Sequence, residues 1–149
     1  MSDMQPKILV PVDDSPEARK AVTQAVELAG RLGAGLTMMT VVATPMLPRQ
    51  LMDPAQVAQL EAHFRQAGEQ VLNQLRTVAD AAGVPVETRL VEGIPADEIL
   101  AEAGKGYLFI VMGSRGAGLT GRDRALLGSV SDRVLRQAPV PVLVIRDEG

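Results

Sequence analysis

The chain has no cysteine and no tryptophan, and His63 is its one histidine. Without thiols there is no disulfide framework, no thiolate zinc site and no cysteine nucleophile, and nothing marks an oxidising compartment. His63 falls midway along an expected helix, with no second histidine and no cysteine to join it, so it reads as a surface or half-buried residue and not as a metal ligand or general base. A single histidine, and carboxylates with no convincing paired spacing, leave catalysis without a constellation. Aromatic residues make up 2% of the chain, namely Phe64, Tyr107 and Phe109. That is too few stacking platforms for single-stranded nucleic acid, and a net charge of −3 lacks the basic field that binding DNA or RNA calls for. No apolar run approaches the ~20 residues of a membrane span, and MSDMQPKILVPVDD lacks the long apolar segment of a signal peptide. The expectation is a cytoplasmic protein without nucleic-acid or membrane partners, a binder and not a dedicated enzyme.

What remains is a chain of 149 residues, 46% apolar and 22% charged, enough for one domain over residues 1–149 with a core of Val, Leu, Ile, Ala and Met. Ile8–Val12 reads as a buried strand. Ser15, Pro16 and Glu17 then spell a helix start, with a capping hydroxyl, proline in the first turn and an acid at the positive end of the dipole. Its apolar stripe runs to Gly30–Gly33. Leu36–Ala43 reads as a second strand, and a proline- and methionine-rich connection from Thr44 leads to Asp53 and Pro54 as cap and first residue of a long helix over Ala55–Ala82. Val84–Val91 is a third, less buried strand, and Pro95–Ala103 a short acidic helix. Tyr107–Met112 and Val140–Ile145 are continuous apolar runs of the kind that parallel sheets bury. Strands and helices alternate, which predicts an α/β fold: an open five-stranded parallel sheet with helices on both faces. Ligands of such sheets lie at the carboxyl ends of the strands, so Asp13, Asp14, Val41, Glu92 and Gly93 become candidates.

The segment MGSRGAGLTGRDRALLGS, Met112 to Ser129, adds a glycine-dense loop between a strand and a helix. Glycine lets a backbone approach a ligand closely, and a helix start offers N–H groups to an anion. A P-loop would need Lys then Ser or Thr after its glycines, and the one Gly-Lys pair, Gly104-Lys105, is followed by Gly106. Gly116, Gly118 and Gly121 match the dinucleotide pattern G-x-G-x-x-G, but that fingerprint opens a sheet, and here one strand remains after it. Ser129 followed by Asp132 also reads as a capping box, which accounts for both residues without a ligand. Arg115, Arg122 and Arg124 stand in or beside the loop, and Arg115 is the preferred phosphate contact.

With VPVDDSPEA at the start, VEGIPADEI in the middle, and VMGSRG, LLGSVSDRVL and APVPVLVI at the end, the chain resembles the universal stress protein (UspA) family from end to end. In nucleotide-binding members of that family the motif is G-x-x-G, nine residues, then G-S or G-T. The resemblance implies an adenine-nucleotide site for ATP, and Asp13 and Asp14 at a strand's carboxyl end, with the Ser15 hydroxyl beside them, could hold Mg²⁺ or a ribose hydroxyl. Gly113 and Gly116 would line the phosphates, Gly128 and Ser129 complete the cradle, Asp13 face the ribose and Val41 the adenine. Pro11, Val12, Met112, Arg115 and Val130 are expected to join the same site. One departure stands out: eleven residues, Ala117 to Leu127, separate Gly116 from Gly128. Extra loop length costs only a few tenths of a kcal/mol in chain entropy, but it decides whether the Gly-Ser corner stays in place. The apolar last strand would be an aggregation hazard at a sheet edge. Pairing with a second copy through residues 140–146 would cover it, as the resemblance implies for a homodimer, and a covering helix would serve equally well. The expected function is a dimeric, ATP-binding stress-response regulator. The alternatives are a nucleotide-free interaction scaffold and a slow ATP hydrolase.

Overall fold

The computed structural model describes residues 5–114 and 127–146. Within them strand β1 (Lys7–Pro11) leads to helix α1 (Pro16–Leu32), β2 (Gly35–Val42), α2 (Pro54–Ala81), β3 (Val86–Glu92), α3 (Pro95–Ala103), β4 (Ile110–Gly113), α4 (Ser129–Gln137) and β5 (Val142–Ile145). The five strands form one sheet in the order β3-β2-β1-β4-β5, and every pair is parallel. This is the expected α/β architecture. The connection from β2 to α2 carries two short 3₁₀ turns, Thr44–Met46 and Arg49–Leu51.

Local chemistry explains the element boundaries. The Ser15 side chain accepts the Ala18 N–H at 3.1 Å at the start of α1, Pro16 follows it, and Gly33 ends the helix with φ at 66°. At the start of α2 the Asp53 N–H donates to the Gln56 side chain at 3.1 Å. Three strands start later than their apolar runs suggest. Pro85 and Pro141 have no N–H to give the ladder, so β3 begins at Val86 and β5 at Val142, while the prolines' carbonyls accept from Leu36 and Ile110 at 2.9 Å each. Ahead of β4, the Leu108 N–H already bonds to Lys7, but the regular strand begins at Ile110.

Alternation along β1 splits the core into two layers. Ile8 and Val10 pack with the buried face of α1 and with Leu72, Leu75 and Ala79 of α2. Leu9 points the other way, into a cluster with Met39, Ile99, Ala103, Ile110, Met112 and Val134, which joins α3 and α4 to the opposite face of the sheet. Gly68 lets α2 lie close on the sheet, since a Cβ there would come within 3.0 Å of Leu90 and 3.2 Å of Val42. β5 is an edge strand, and Leu143 on it is 41% exposed. His63 is exposed on α2, with its ring 6.1 Å from that of Phe64.

Beside the start of β4, Glu102 at the end of α3 is buried, accepts from Tyr107 Oη at 2.5 Å and lies 3.1 Å from Lys105 Nζ. Burial pushes its carboxyl up, but the Tyr107 hydroxyl, Lys105 and Arg89 together outweigh burial and hold it below the usual range. Tyr107 itself is pushed up to about 12, first by burial and then by the bond to Glu102, with Thr37 close enough to oppose the shift. A folded-state value above the unfolded one stabilises the fold below pH ~10, and that contribution disappears as pH climbs through about 12. Absorbance titration of the single tyrosine is expected to give a midpoint near 12 in the native protein, and near 10 in urea. The Thr37 hydroxyl is buried beside the Tyr107 phenol, whose shift it opposes.

Candidate functional site

β1 and β4 are neighbours, yet the chain leaves them in opposite directions, towards β2 and β3 on one side and β5 on the other. A crevice opens at the carboxyl ends of two such strands because their following helices lie on opposite faces. Here it is a cavity of about 360 Å³, within the size range of small-molecule sites. Pro11, Val12 and Asp13 line it from the end of β1, Met39 and Val41 from β2, and Met112 and Gly113 from β4. Gly128, Ser129, Val130 and Ser131 close it from the start of α4, with Pro95 and Ile99 of α3 opposite and Ser15 and Ala18 of α1 beside them.

Nine of the eleven residues placed in the site beside the family resemblance, all but Arg115 and Gly116, therefore meet in one cavity. Arg115 and Gly116 lie outside the described residues, as do Arg122, Arg124 and the rest of residues 117–126. Glu92 and Gly93, chosen as strand ends, are not part of the cavity. β3 is the far edge of the sheet, and the Glu92 carboxylate is engaged with Arg65 and with Thr44 Oγ1 at 3.3 Å. The Arg65 guanidinium bonded to it holds its carboxyl below the usual range.

The cavity has an apolar and a polar end. Val41, Met39, Met112, Ile99, Pro95 and Pro11 offer aliphatic walls. At the polar end the first turn of α4 presents the N–H groups of Ser129, Val130 and Ser131, which by their position have no acceptor within the helix. They bring the positive end of the helix dipole with them. Asp13 stands at the rim, where its Oδ1 accepts the Ser15 N–H at 2.9 Å in an Asx turn. Asp14 is exposed and does not line the cavity. Among the described residues, no three His, Cys, Asp or Glu side chains gather in a way that would hold a metal ion.

The capping-box reading of Ser129 and Asp132 is overturned. Gly128 is the N-cap, with φ −66° and ψ 159°, and its carbonyl accepts the Asp132 N–H at 2.9 Å. The Asp132 carboxylate turns forward to Arg136, at 3.0 and 3.1 Å. Ser129 sits one position inside the helix, so its hydroxyl is not the cap. The sequence reading also passed over Ser131, whose Oγ donates to the Gly113 carbonyl at 2.8 Å and ties α4 to the end of β4. Its only local signal was a second serine two residues after the Gly-Ser pair.

The glycine loop leaves and returns at one place. The Gly128 N–H donates to the Ser114 carbonyl at 2.8 Å, so residue 114 at the loop's departure and residue 128 at its return are hydrogen-bonded to each other. Val12 is fixed likewise: its N–H donates to Met39 at 2.8 Å and its carbonyl accepts from Thr40 Oγ1 at 2.9 Å. The walls of the cavity are thus held by the scaffold itself.

A parallel five-stranded sheet with a cavity at its topological switch point and a Gly-Ser helix start defines an α/β protein of the adenine nucleotide alpha hydrolase-like kind. The profile of the universal stress protein family matches residues 4–146. The chain belongs to that family. Among its relatives, a universal stress protein of Methanocaldococcus jannaschii is 34% identical over 143 residues, covering 94% of this chain and 81% of the relative. A Staphylococcus aureus protein of the same family name is 37% identical over 142 residues, 95% of this chain and 84% of its own. Among solved structures, UspA of Lactobacillus plantarum superposes with a TM-score of 0.81 at 30% identity, covering 95% of this chain and 98% of its own. A universal stress protein in complex with cAMP superposes with a TM-score of 0.67 at 25% identity, covering 95% and 97%.

Proposed function

We propose that this protein binds an adenine nucleotide, ATP foremost, in the cavity between β1 and β4, and acts in the cytoplasm as a dimeric stress-response regulator whose state depends on occupancy. The observation that carries this reading is the combination of an aliphatic slot and a helix start without a side-chain cap within one cavity. A base has room between Val41, Met39 and Met112, a ribose has Asp13, and phosphate has the N–H groups of α4 and the Ser129 hydroxyl. The cAMP complex of a structural neighbour supports the same ligand class. The bond between Ser114 and Gly128 supports it further, because residues added between them need not displace the Gly-Ser corner. Mg²⁺ would enter with the phosphates, and Asp13 is the carboxylate at the rim that stands nearest in role to hold it. No base poised to activate a water follows from these residues, so any hydrolysis is slow.

Dimerisation rests on β5, an edge strand whose Leu143 is 41% exposed. A copy related by a two-fold axis would pair residues 140–146 with themselves and cover that edge. Isothermal titration with Mg·ATP and cAMP, run beside sedimentation velocity with and without ligand, tests both halves. Saturable heat and a dimeric mass support the regulator. A dimer that takes up neither nucleotide would replace this reading with that of a nucleotide-free interaction scaffold.

A further inference from the structure

Behind the cavity lies a carboxylate that the nucleotide reading does not use. Glu17, in the first turn of α1, is 3% exposed, and Ser114, at the end of β4, is 2% exposed. Ser114 Oγ donates to Glu17 Oε2 at 2.7 Å, a buried bond between residues 97 positions apart in the chain. A buried carboxyl group needs such partners to offset its lost hydration. Every polar group of Ser114 is in fact engaged by a different element. Its N–H donates to the Ile145 carbonyl of β5 at 2.9 Å, its carbonyl accepts from Gly128 at the head of α4, and its hydroxyl is held by α1 through Glu17.

We infer that Glu17 is a positioning residue for the phosphate end of the site: by holding Ser114, it holds Gly128 and the first turn of α4 at the distance from Gly113 that a phosphate requires. This rests on the nucleotide reading above. Glu17 and Ser114 touch no ligand in this scheme. They act through Gly128, which lines the cavity, as Glu17 and Ser114 do not. The geometry fits the task, because a short, fully buried hydrogen bond fixes Ser114 in place, and a misplaced phosphate cradle loses binding steeply.

The test compares Glu17→Ala, Ser114→Ala and Glu17→Gln with wild type in titrations of Mg·ATP and of adenosine, which lacks phosphate. Glu17→Ala and Ser114→Ala are expected to weaken Mg·ATP about tenfold while leaving adenosine within about twofold, and Glu17→Gln, which retains an acceptor for Ser114, to restore most of the loss. A residue that merely stabilises the fold would lower Tm and weaken both ligands alike, or neither, and either pattern overturns the inference. Amide hydrogen exchange on the ligand-free protein supplies a second measure. The Gly128 N–H is expected to exchange about tenfold faster in Glu17→Ala and Ser114→Ala than in wild type, with α2 amides unchanged. Unchanged Gly128 exchange in both variants overturns the inference even where nucleotide binds. Absence of all nucleotide binding in wild type sinks the ligand reading alone, and the exchange rates then decide whether Glu17 positions α4.

Discussion

Gly128→Val is expected to leave the fold standing and to weaken Mg·ATP binding by about 100-fold, or ~3 kcal/mol. The two halves of that expectation have separate grounds. At φ −66° and ψ 159° Gly128 has ordinary extended backbone, the region valine favours. Its two backbone bonds, to Ser114 and from Asp132, do not need a missing Cβ. Valine is a poorer N-cap than glycine, which costs about 1 kcal/mol and shifts Tm by roughly 2–4 °C. In the site, however, the residue stands where the α4 N–H groups meet the cavity, and a branched side chain there takes the volume a phosphate would fill. Titration calorimetry of the variant beside wild type measures the loss, and circular dichroism checks the fold. A variant that binds Mg·ATP like wild type would remove the phosphates from this end of the cavity.

Leu9→Ala is expected to be among the most damaging truncations for stability, lowering unfolding free energy by about 3 kcal/mol and Tm by roughly 6–12 °C. Leu9 is fully buried in β1, paired with Thr37 of β2 and Ile110 of β4. It packs into the cluster that joins α3 and α4 to the sheet. Strands on both sides prevent the backbone from collapsing into the space left behind, so the cavity term adds to the lost transfer energy. Against a typical total of 5–15 kcal/mol this is a large fraction. Leu51, 85% exposed in the β2–α2 connection, is the matched control, and Leu51→Ala should change stability by no more than about 0.5 kcal/mol. Urea unfolding with an unchanged slope would attribute the loss to the native state. A Leu9→Ala protein as stable as the Leu51→Ala control would mean that the layer beneath α3 and α4 can repack.

Much of this architecture was legible because its signals are local. Ser15-Pro16-Glu17 and Asp53-Pro54 announce helices through side chains that satisfy backbone donors within three residues. Apolar runs of four to eight residues between helices announce buried parallel strands. The site was legible at one remove: alternation of elements implies a parallel sheet, and a parallel sheet puts its ligand at strand ends, which is where Pro11, Val12, Asp13, Met112 and Gly113 stand. What escaped was set by contacts across the fold. Glu92 and Asp13 look alike as acids at strand ends, and only the strand order, with β3 outermost and β1 central, separates them. Pro95 and Ile99 line the cavity because α3 packs beneath β2 and β4, which no pattern within PADEILAEA encodes. Ser129 and Gly128 are both acceptable caps, and the cap is Gly128, whose backbone is extended and whose carbonyl accepts the Asp132 N–H. Glu17, an unremarkable first-turn acid in the sequence, acquires its role from a serine on another strand.

The bond between Tyr107 and Glu102 has a practical consequence for a chain with one tyrosine and no tryptophan. A phenol becomes a stronger acid when excited, and one already bonded to a carboxylate can lose its proton in the excited state, which weakens its normal emission. Tyrosine emission of the native protein is therefore expected to be lower than that of the unfolded chain, and its recovery in urea to follow the release of Tyr107 from Glu102 at the end of α3.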